Sequence, residues 1–135
     1  MKNKVGSPIY TPHAFLSFSN GKNNKTYYIK LNTMAMKTLK NPTMVSVMKT
    51  VDGNYIVLQP EDGDEIMPGM SLVKKQGNAG FIYCSGAISS KFLKKEWFDR
   101  RKCKIKKDKH GRIYICLNER IGDDDRTGET ESKGN

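Results

Sequence analysis

The chain has 135 residues, of which 36% are hydrophobic and 28% charged, and its formal net charge is +10 at pH 7. This length predicts one domain with a modest core, and no apolar run approaches the roughly 18 residues that a membrane-spanning helix needs. The first residues are basic but lack the apolar segment of a signal peptide, so we expect a cytoplasmic protein with no membrane partner.

In chain order, residues 1–13 contain two prolines and no hydrophobic period, which predicts an N-terminal extension. Residues 14–60 form a first unit, with a β-hairpin, a short helix at residues 33–40 and a second β-hairpin. Asn32 is a favoured helix cap, and Pro42 cannot extend the helix. The remaining elements are strands at residues 14–19, 27–31, 45–51 and 55–58, and a type I′ turn at Asp52-Gly53.

The pattern restarts in a second unit, residues 70–118, after an acidic linker that contains Gly and Pro at residues 61–69. A helix is predicted at residues 91–98, with Ser89 and Ser90 as its caps. Strands are expected at residues 72–76, from 81 to 84, around 103–105 and at 113–117, with turns at Gly77-Asn78 and His110-Gly111. Residues 119–135 are polar and acidic, which predicts a disordered tail.

The two units align without gaps at an offset of 58 residues, which predicts an internal duplication. Asn32 then falls on Ser90, and Gly53 falls on Gly111. Identities are few, so chance similarity between two β-rich segments is the alternative. The expected fold is a mostly β member of the α+β class, with two ββαββ units in one domain at residues 14–118.

A hairpin, a short helix and a second hairpin resemble the swapped-hairpin fold of AbrB, SpoVT and MazE-type DNA-binding domains. The apolar-Pro-apolar stretch of that family corresponds here to Ile29-Lys30-Leu31, without the proline. Its Arg-Arg-x-Leu-Gly helix segment corresponds to Met-Lys-Thr-Leu-Lys at residues 36–40, and to Lys94-Lys95-Glu96-Trp97 in the second unit.

Two chains of that family interleave their hairpins into one small barrel. The resemblance therefore implies that this chain is a fused pseudo-dimer, stable as a monomer and able to form a homodimer. It also implies a DNA-binding transcriptional regulator or an antitoxin-like protein that acts without a cofactor.

The sequence contains no recognisable catalytic or metal site, so we do not expect an enzyme. Cys84, Cys103 and Cys116 occur singly in strand-like runs, which favours buried free thiols over zinc ligands. His13 and His110 have no nucleophile or metal partner nearby in the sequence. The acids cluster in the linker and the tail, where general acid–base catalysis is not expected.

Positive charge is concentrated in the first 118 residues, which hold 21 Lys and Arg against eight Asp and Glu. Residues 89–112 alone carry eleven bases and three acids, whereas residues 31–54 carry three bases and one acid. Such a surface usually contacts a polyanion, although it can simply aid solubility. Lysine lacks the rigid fork with which arginine reads guanine, so we expect phosphate contacts with modest sequence specificity or readout of DNA shape.

Duplex DNA is the favoured ligand of this predicted nucleic-acid site. Its residues are Lys22, Lys25, Lys37, Lys91, Lys94, Lys95, Arg100, Arg101, Lys102, Lys104 and Lys106. The alternative function is that of a small phage or mobile-element protein that binds and inhibits a host nucleoprotein or nuclease complex. Tyr27, Tyr28, Tyr83 and Tyr114 are interpreted as strand residues at the core edge, with stacking on single-stranded bases as the alternative.

Overall fold

In the computed structural model, the described residues, 11–22 and 25–121, form nine strands, two short α-helices and one 3₁₀ turn. The strands are β1 His13–Asn20, β2 Lys25–Leu31, β3 Met44–Lys49, β4 Tyr55–Pro60, β5 Met70–Leu72, β6 Lys74–Gln76, β7 Ala79–Tyr83, β8 Arg101–Lys107 and β9 Ile113–Arg120. The helices are α1 Thr33–Thr38 and α2 Ser85–Ser89, and the 3₁₀ turn covers Lys95–Trp97. Most of the predicted extension, and the predicted tail beyond residue 121, lie outside the described residues. Residues 119 and 120, which the sequence assigns to the tail, belong instead to β9.

All nine strands belong to one antiparallel sheet, in the order β5-β3-β4-β9-β8-β1-β2-β7-β6. Its two edge strands, β5 and β6, are consecutive in the chain and only Val73 separates them. Val73 is buried, and its N–H donates to the Thr43 carbonyl at 2.9 Å. The two edges of the sheet therefore meet, and the sheet is a nearly closed barrel.

The core fills the inside of this barrel because every second side chain of a strand points to the same face. Leu16, Ile29, Ile82 and Ile115 are fully buried inward residues. Further core residues are Ala35 and Met36 of α1 and Leu39, which caps this helix. The segment after α2 contributes Leu93 and Phe98. The mostly β architecture that the sequence predicts is confirmed.

Helix α1 begins where the sequence places it and ends two residues earlier than predicted. The Asn32 side-chain oxygen accepts the Ala35 N–H at 3.0 Å, so Asn32 is the predicted cap. Lys40 and Asn41 have φ angles of 65° and 51°. Two successive left-handed residues cannot continue a right-handed helix, so the chain turns toward β3.

The predicted helix at residues 91–98 is wrong. The second helix is instead α2, directly after β7, and Ser90 is its C-cap rather than the N-cap of a following helix. The Ser90 hydroxyl donates to the Ala87 carbonyl at 3.1 Å, and Lys91 has a φ of 66°. A left-handed residue at that position stops the helix. Only Lys95–Trp97 makes a single 3₁₀ turn within the predicted range.

The offset in residue number between corresponding elements of the two units is therefore not constant. Helix α1 starts at residue 33 and α2 at residue 85, an offset of 52, whereas β3 and β8 start 57 residues apart. The connection from α2 to β8 is longer than the connection from α1 to β3. A gap-free alignment at 58 is wrong at the helices.

Three smaller predictions also differ from the structure. The strand predicted at residues 72–76 is divided into β5 and β6 at Val73, and β1 begins at His13, one residue before the predicted start. The turn at Asp52-Gly53 is not type I′, because Gly53 has a φ of 75° but Asp52 is not left-handed. The Asp52 carboxylate instead accepts the Asn54 N–H at 3.0 Å, which holds a longer loop.

Candidate nucleic-acid interface

Three lysines of β8 share the outer face of the barrel. Lys102, Lys104 and Lys106 alternate with Cys103 and Ile105, which point inward. Lys106 lies 3.5 Å from the Glu119 carboxylate, and its ammonium is 5.7 Å from the centre of the Tyr55 ring. A hydrogen bond to Tyr55 and the charge of Glu119 raise the pKa of Lys106, so it stays protonated. Strand β8 therefore carries a line of positive charges on the outer face of the barrel.

The segment between α2 and β8 adds further cations at the start of this strand. Leu93 and Phe98 are almost fully buried and fix the segment against the core. Lys91, Lys94 and Lys95 are exposed between and beside these anchors. The two buried apolar side chains thus hold a short loop in place while its lysines remain in solvent.

Phe18 joins this segment to the tip of the first hairpin. The Lys25 ammonium lies 4.5 Å from the centre of the Phe18 ring, and the Arg100 guanidinium lies 4.9 Å from it. Both cations contact the face of one aromatic ring, an arrangement that electrostatic attraction to the ring favours. Lys22, in the turn between β1 and β2, is exposed.

Arg101 holds the backbone in place, and its side chain is only 16% exposed. Its Nε donates to Asp99 at 3.1 Å, and its terminal nitrogen donates to the Leu117 carbonyl at 2.9 Å. Partial burial raises the pKa of Asp99, but Arg101 and Arg120 outweigh this effect and lower it. Because the guanidinium already has these partners, Arg101 fixes the start of β8 beside β9.

Lys37 lies apart from the other predicted site residues. Helix α1 follows the end of β2 and packs against the start of β7, whereas the segment with Lys91 follows the end of β7. The two positions are at opposite ends of the barrel. At the α1 end, Lys40 shares a groove with Lys107, the last residue of β8, and with Lys109 of the following turn.

Lys30 and Lys74 were missed by the sequence reasoning. Strand register places Lys102 beside Phe15, Phe15 beside Lys30, Lys30 beside Phe81 and Phe81 beside Lys74. We call these five residues the Lys–Phe row. The alternation along β1 and β2 places Phe15 and Lys30 on the outer face, but their adjacency to Phe81 and Lys74 depends on strand pairing.

The three cysteines are buried free thiols, as predicted. Burial raises the pKa of Cys84 to about 12 and that of Cys103 to about 11, which disfavours the reactive thiolate. Within residues 11–22 and 25–121, no cluster of His, Cys, Asp and Glu has the size to hold a metal ion, and no helix has the length and hydrophobicity to cross a membrane. Comparison with protein-family models, curated proteins and solved structures finds no match for this chain.

Proposed function

We propose that the protein is a DNA-binding regulator that contacts duplex DNA through one continuous basic surface. We call this surface the basic ridge. It starts in the loop before β8 and continues along the outer face of that strand. Its members are Lys91, Lys94, Lys95, Arg100, Lys102, Lys104 and Lys106. The observation that carries the proposal is that β8 aligns three outward lysines directly after a loop that exposes four more cations.

The chemistry of the basic ridge fits phosphate better than base edges. Six of its seven side chains are lysines, which act as flexible point charges and neutralise phosphates without a fixed geometry. Each neutralised phosphate releases condensed counterions, which favours binding and makes it sensitive to salt. We therefore expect contacts along the DNA backbone with modest discrimination between sequences.

A swapped-hairpin origin is also proposed, and the connectivity of the barrel supports it. Strands β5 and β6 can be taken as one bent strand that closes the barrel. The first four strands then correspond in order to the last four: β1 to β5–β6, β2 to β7, β3 to β8 and β4 to β9. When the members of each correspondence are exchanged, the same pairs of strands are neighbours in the sheet. Each unit also has its helix after its second strand. This is the symmetry expected of a fused pseudo-dimer.

The first prediction tests the basic ridge through its salt dependence. Replacing Lys94 and Lys95 together with alanine should weaken binding to duplex DNA for all sequences, because phosphate contacts carry no sequence information. The slope of log affinity against log salt should flatten by about two units, since each phosphate contact contributes about 0.9. Fluorescence anisotropy at several salt concentrations measures this slope.

The matched control is the double variant Lys37→Ala and Lys40→Ala on the opposite end of the barrel. It removes the same charge but should change the slope less than the Lys94 and Lys95 variant does. Equal slopes for wild type and a folded Lys94 and Lys95 variant would exclude this loop from the DNA contact.

The second candidate function is the inhibition of a host nucleoprotein or nuclease complex, and one observation favours it. Ile66, Met67 and Leu72 are each more than half exposed. Ile66 and Met67 belong to the acidic segment between the two units, and Ile66 and Leu72 line one groove. Exposed apolar side chains that lie together are typical of protein-binding surfaces. A protein partner that remains bound after nuclease treatment of a lysate would support this candidate over the first.

A further inference from the structure

The Lys–Phe row crosses five neighbouring strands on the outer face of the barrel. Its order is Lys102 on β8, Phe15 on β1, Lys30 on β2, Phe81 on β7 and Lys74 on β6. Neighbouring strands are about 4.8 Å apart, so the row is about 19 Å long and its two rings are separated by about 10 Å. A cation therefore lies between the rings and beyond each of them.

Two tyrosines extend the aromatic surface beside Phe81. Tyr28 is 5.5 Å from Phe81 and 6.4 Å from Tyr83, measured between ring centres. The planes of Phe81 and Tyr83 are 17° apart, and Tyr83 is 46% exposed. These rings lie on the solvent side of the sheet and are not part of the buried core cluster. They form a partly exposed aromatic platform, in which the Tyr28 ring is tilted by 56° to Phe81 and by 62° to Tyr83.

The cations of the row are available for an anionic ligand. Among the described residues, Lys30, Lys74 and Lys102 form no ion pair with a carboxylate. The Lys30 ammonium is 5.7 Å from the centre of the Phe81 ring, and the Lys74 ammonium is 6.0 Å from that of Tyr83. Positive charge thus borders the aromatic platform on both sides.

We propose that the Lys–Phe row and the adjoining Tyr28 and Tyr83 bind single-stranded nucleic acid, with rings that stack on bases and lysines that neutralise phosphates. Alternating cations and partly exposed rings match the two chemical parts of an unpaired strand. A duplex cannot use the platform in this way, because its bases are stacked on each other and only their edges are accessible in the grooves. The inference rests on the proposed nucleic-acid binding but concerns a different surface. Lys102 is the one residue that belongs both to this surface and to the basic ridge.

The test compares single strands with a duplex. Labelled single-stranded DNA and RNA oligonucleotides of roughly a dozen nucleotides, near the size that one barrel covers, are titrated beside duplex DNA. The variants Phe81→Leu and Phe15→Leu keep an apolar side chain but remove the ring. Each should weaken single-strand binding by roughly 5- to 150-fold, the range for loss of one stacked base, and leave duplex binding unchanged.

Two controls separate stacking from charge. Phe92→Leu removes another exposed ring that has a lysine over it, at 5.0 Å from Lys49, but lies outside the row, so single-strand affinity should stay the same. The double variant Lys30→Ala and Lys74→Ala should flatten the salt slope on single strands by about 1.4, since each phosphate contributes about 0.7. The leucine variants should keep the wild-type slope.

The outcomes distinguish this inference from the proposed function. Duplex binding without single-strand binding would overturn the inference and leave the basic ridge intact, whereas loss of all nucleic-acid binding would overturn both. Equal affinities of wild type and the folded Phe81→Leu and Phe15→Leu variants for single strands would also overturn the inference. If the variants unfold, photo-crosslinking of wild type to an oligonucleotide that contains a halogenated uracil decides the question. Crosslinks on β1, β2 or β7 support the row, and crosslinks confined to residues 91–100 contradict it.

Discussion

His13 is a partly buried histidine between lysines on the outer face of the sheet. Burial lowers its pKa, and the nearby charges of Lys102 and Lys30 lower it further, while a hydrogen bond to the Thr11 backbone acts in the opposite direction. Its Nδ1 lies 3.2 Å from the side-chain nitrogen of Asn32, which can donate to a neutral ring. The structure therefore holds His13 in its neutral form at pH 7.

This environment makes the free energy of unfolding dependent on pH. Because the folded pKa lies below the unfolded value near 6.5, the unfolded chain binds more protons between these two pKa values. The contribution of His13 to stability is complete above about pH 6.5 and is lost as the pH falls toward the folded pKa. For one proton the slope is at most about 1.4 kcal/mol per pH unit.

Urea unfolding of wild type and His13→Gln between pH 8 and pH 5 measures this effect, in the range where histidine titrates. The difference in stability between the two proteins should be constant above about pH 6.5 and change as the pH falls below this value. A constant difference between wild type and His13→Gln would contradict the prediction.

Asn32 shows how much of a residue's role can be predicted from the sequence. Its position before a short helical run predicts the cap, and Ala35 N–H confirms it. The same side-chain oxygen also accepts the backbone N–H of His13, and its nitrogen donates to the Thr11 carbonyl at 2.9 Å. These two bonds join the start of β1 to α1. No local sequence pattern predicts these two hydrogen bonds, because they depend on the pairing of β1 with β2.

At the scale of elements, α1 approaches β7 closely at Gly80. A Cβ atom added there would lie 2.5 Å from the Met36 sulfur and 2.8 Å from a methyl carbon of Val73. Both distances are shorter than a normal contact, so the missing side chain allows α1 and the closing segment to pack on the same strand. The φ of Gly80 is not in the left-handed region, so space is the requirement at this position.

Gly80→Ala should therefore lower the free energy of unfolding by about 1–3 kcal/mol, the usual cost of overpacking. Met36 is flexible and supplies the nearest atoms, so a smaller residue there should relieve part of the strain. Met36→Ala alone should cost about 2–5 kcal/mol, because it leaves a cavity.

A double-mutant cycle measures the coupling between these two positions by denaturant unfolding. The combined variant should be more stable than the sum of the two single losses predicts. Strict additivity would show that Gly80 is needed for another reason than the proximity of Met36. Gly86→Ala is the matched control, since a Cβ at Gly86 meets no atom within contact distance.

The second helix shows why sequence patterns failed at one element. Two serines followed by apolar residues at helical spacing favour a helix at residues 91–98. Tertiary contacts decide otherwise, because the Cys84 N–H donates to the Tyr27 carbonyl and the Ser85 hydroxyl accepts the Tyr27 N–H. These bonds to β2 fix the chain immediately after β7, so the helix starts there. Leu93 and Phe98 are buried in the core, but they belong to a loop and not to one face of a helix.

At the scale of the whole molecule, alternation of apolar residues predicted most strands, but not how they close into a barrel. Alternation marks which side chains face inward and carries no information on which strands are neighbours. The closure depends on Val73, where one strand ends its pairing with β3 and the next begins to pair with β7. The same limit applies to the Lys–Phe row, whose members come from five different strands.

Closure within one chain leads to the last prediction, which concerns the oligomeric state. The sheet edges β5 and β6 are joined by one residue, so the barrel needs no strand from a second copy. A protein whose fold is complete in one chain unfolds at a denaturant concentration that does not depend on protein concentration, whereas an obligate dimer becomes more stable as its concentration rises.

Urea unfolding at several protein concentrations, with sedimentation analysis of the same samples, tests this closure. We expect a constant midpoint and one cooperative transition, because the two units share a single core cluster and neither can bury its apolar face alone. A homodimer that forms through an outer surface would still give a constant midpoint at concentrations where it dissociates before unfolding. A midpoint that rises steadily with concentration, with no folded monomer in the sedimentation profile, would show that a second chain completes the barrel, and the fused pseudo-dimer would then be wrong.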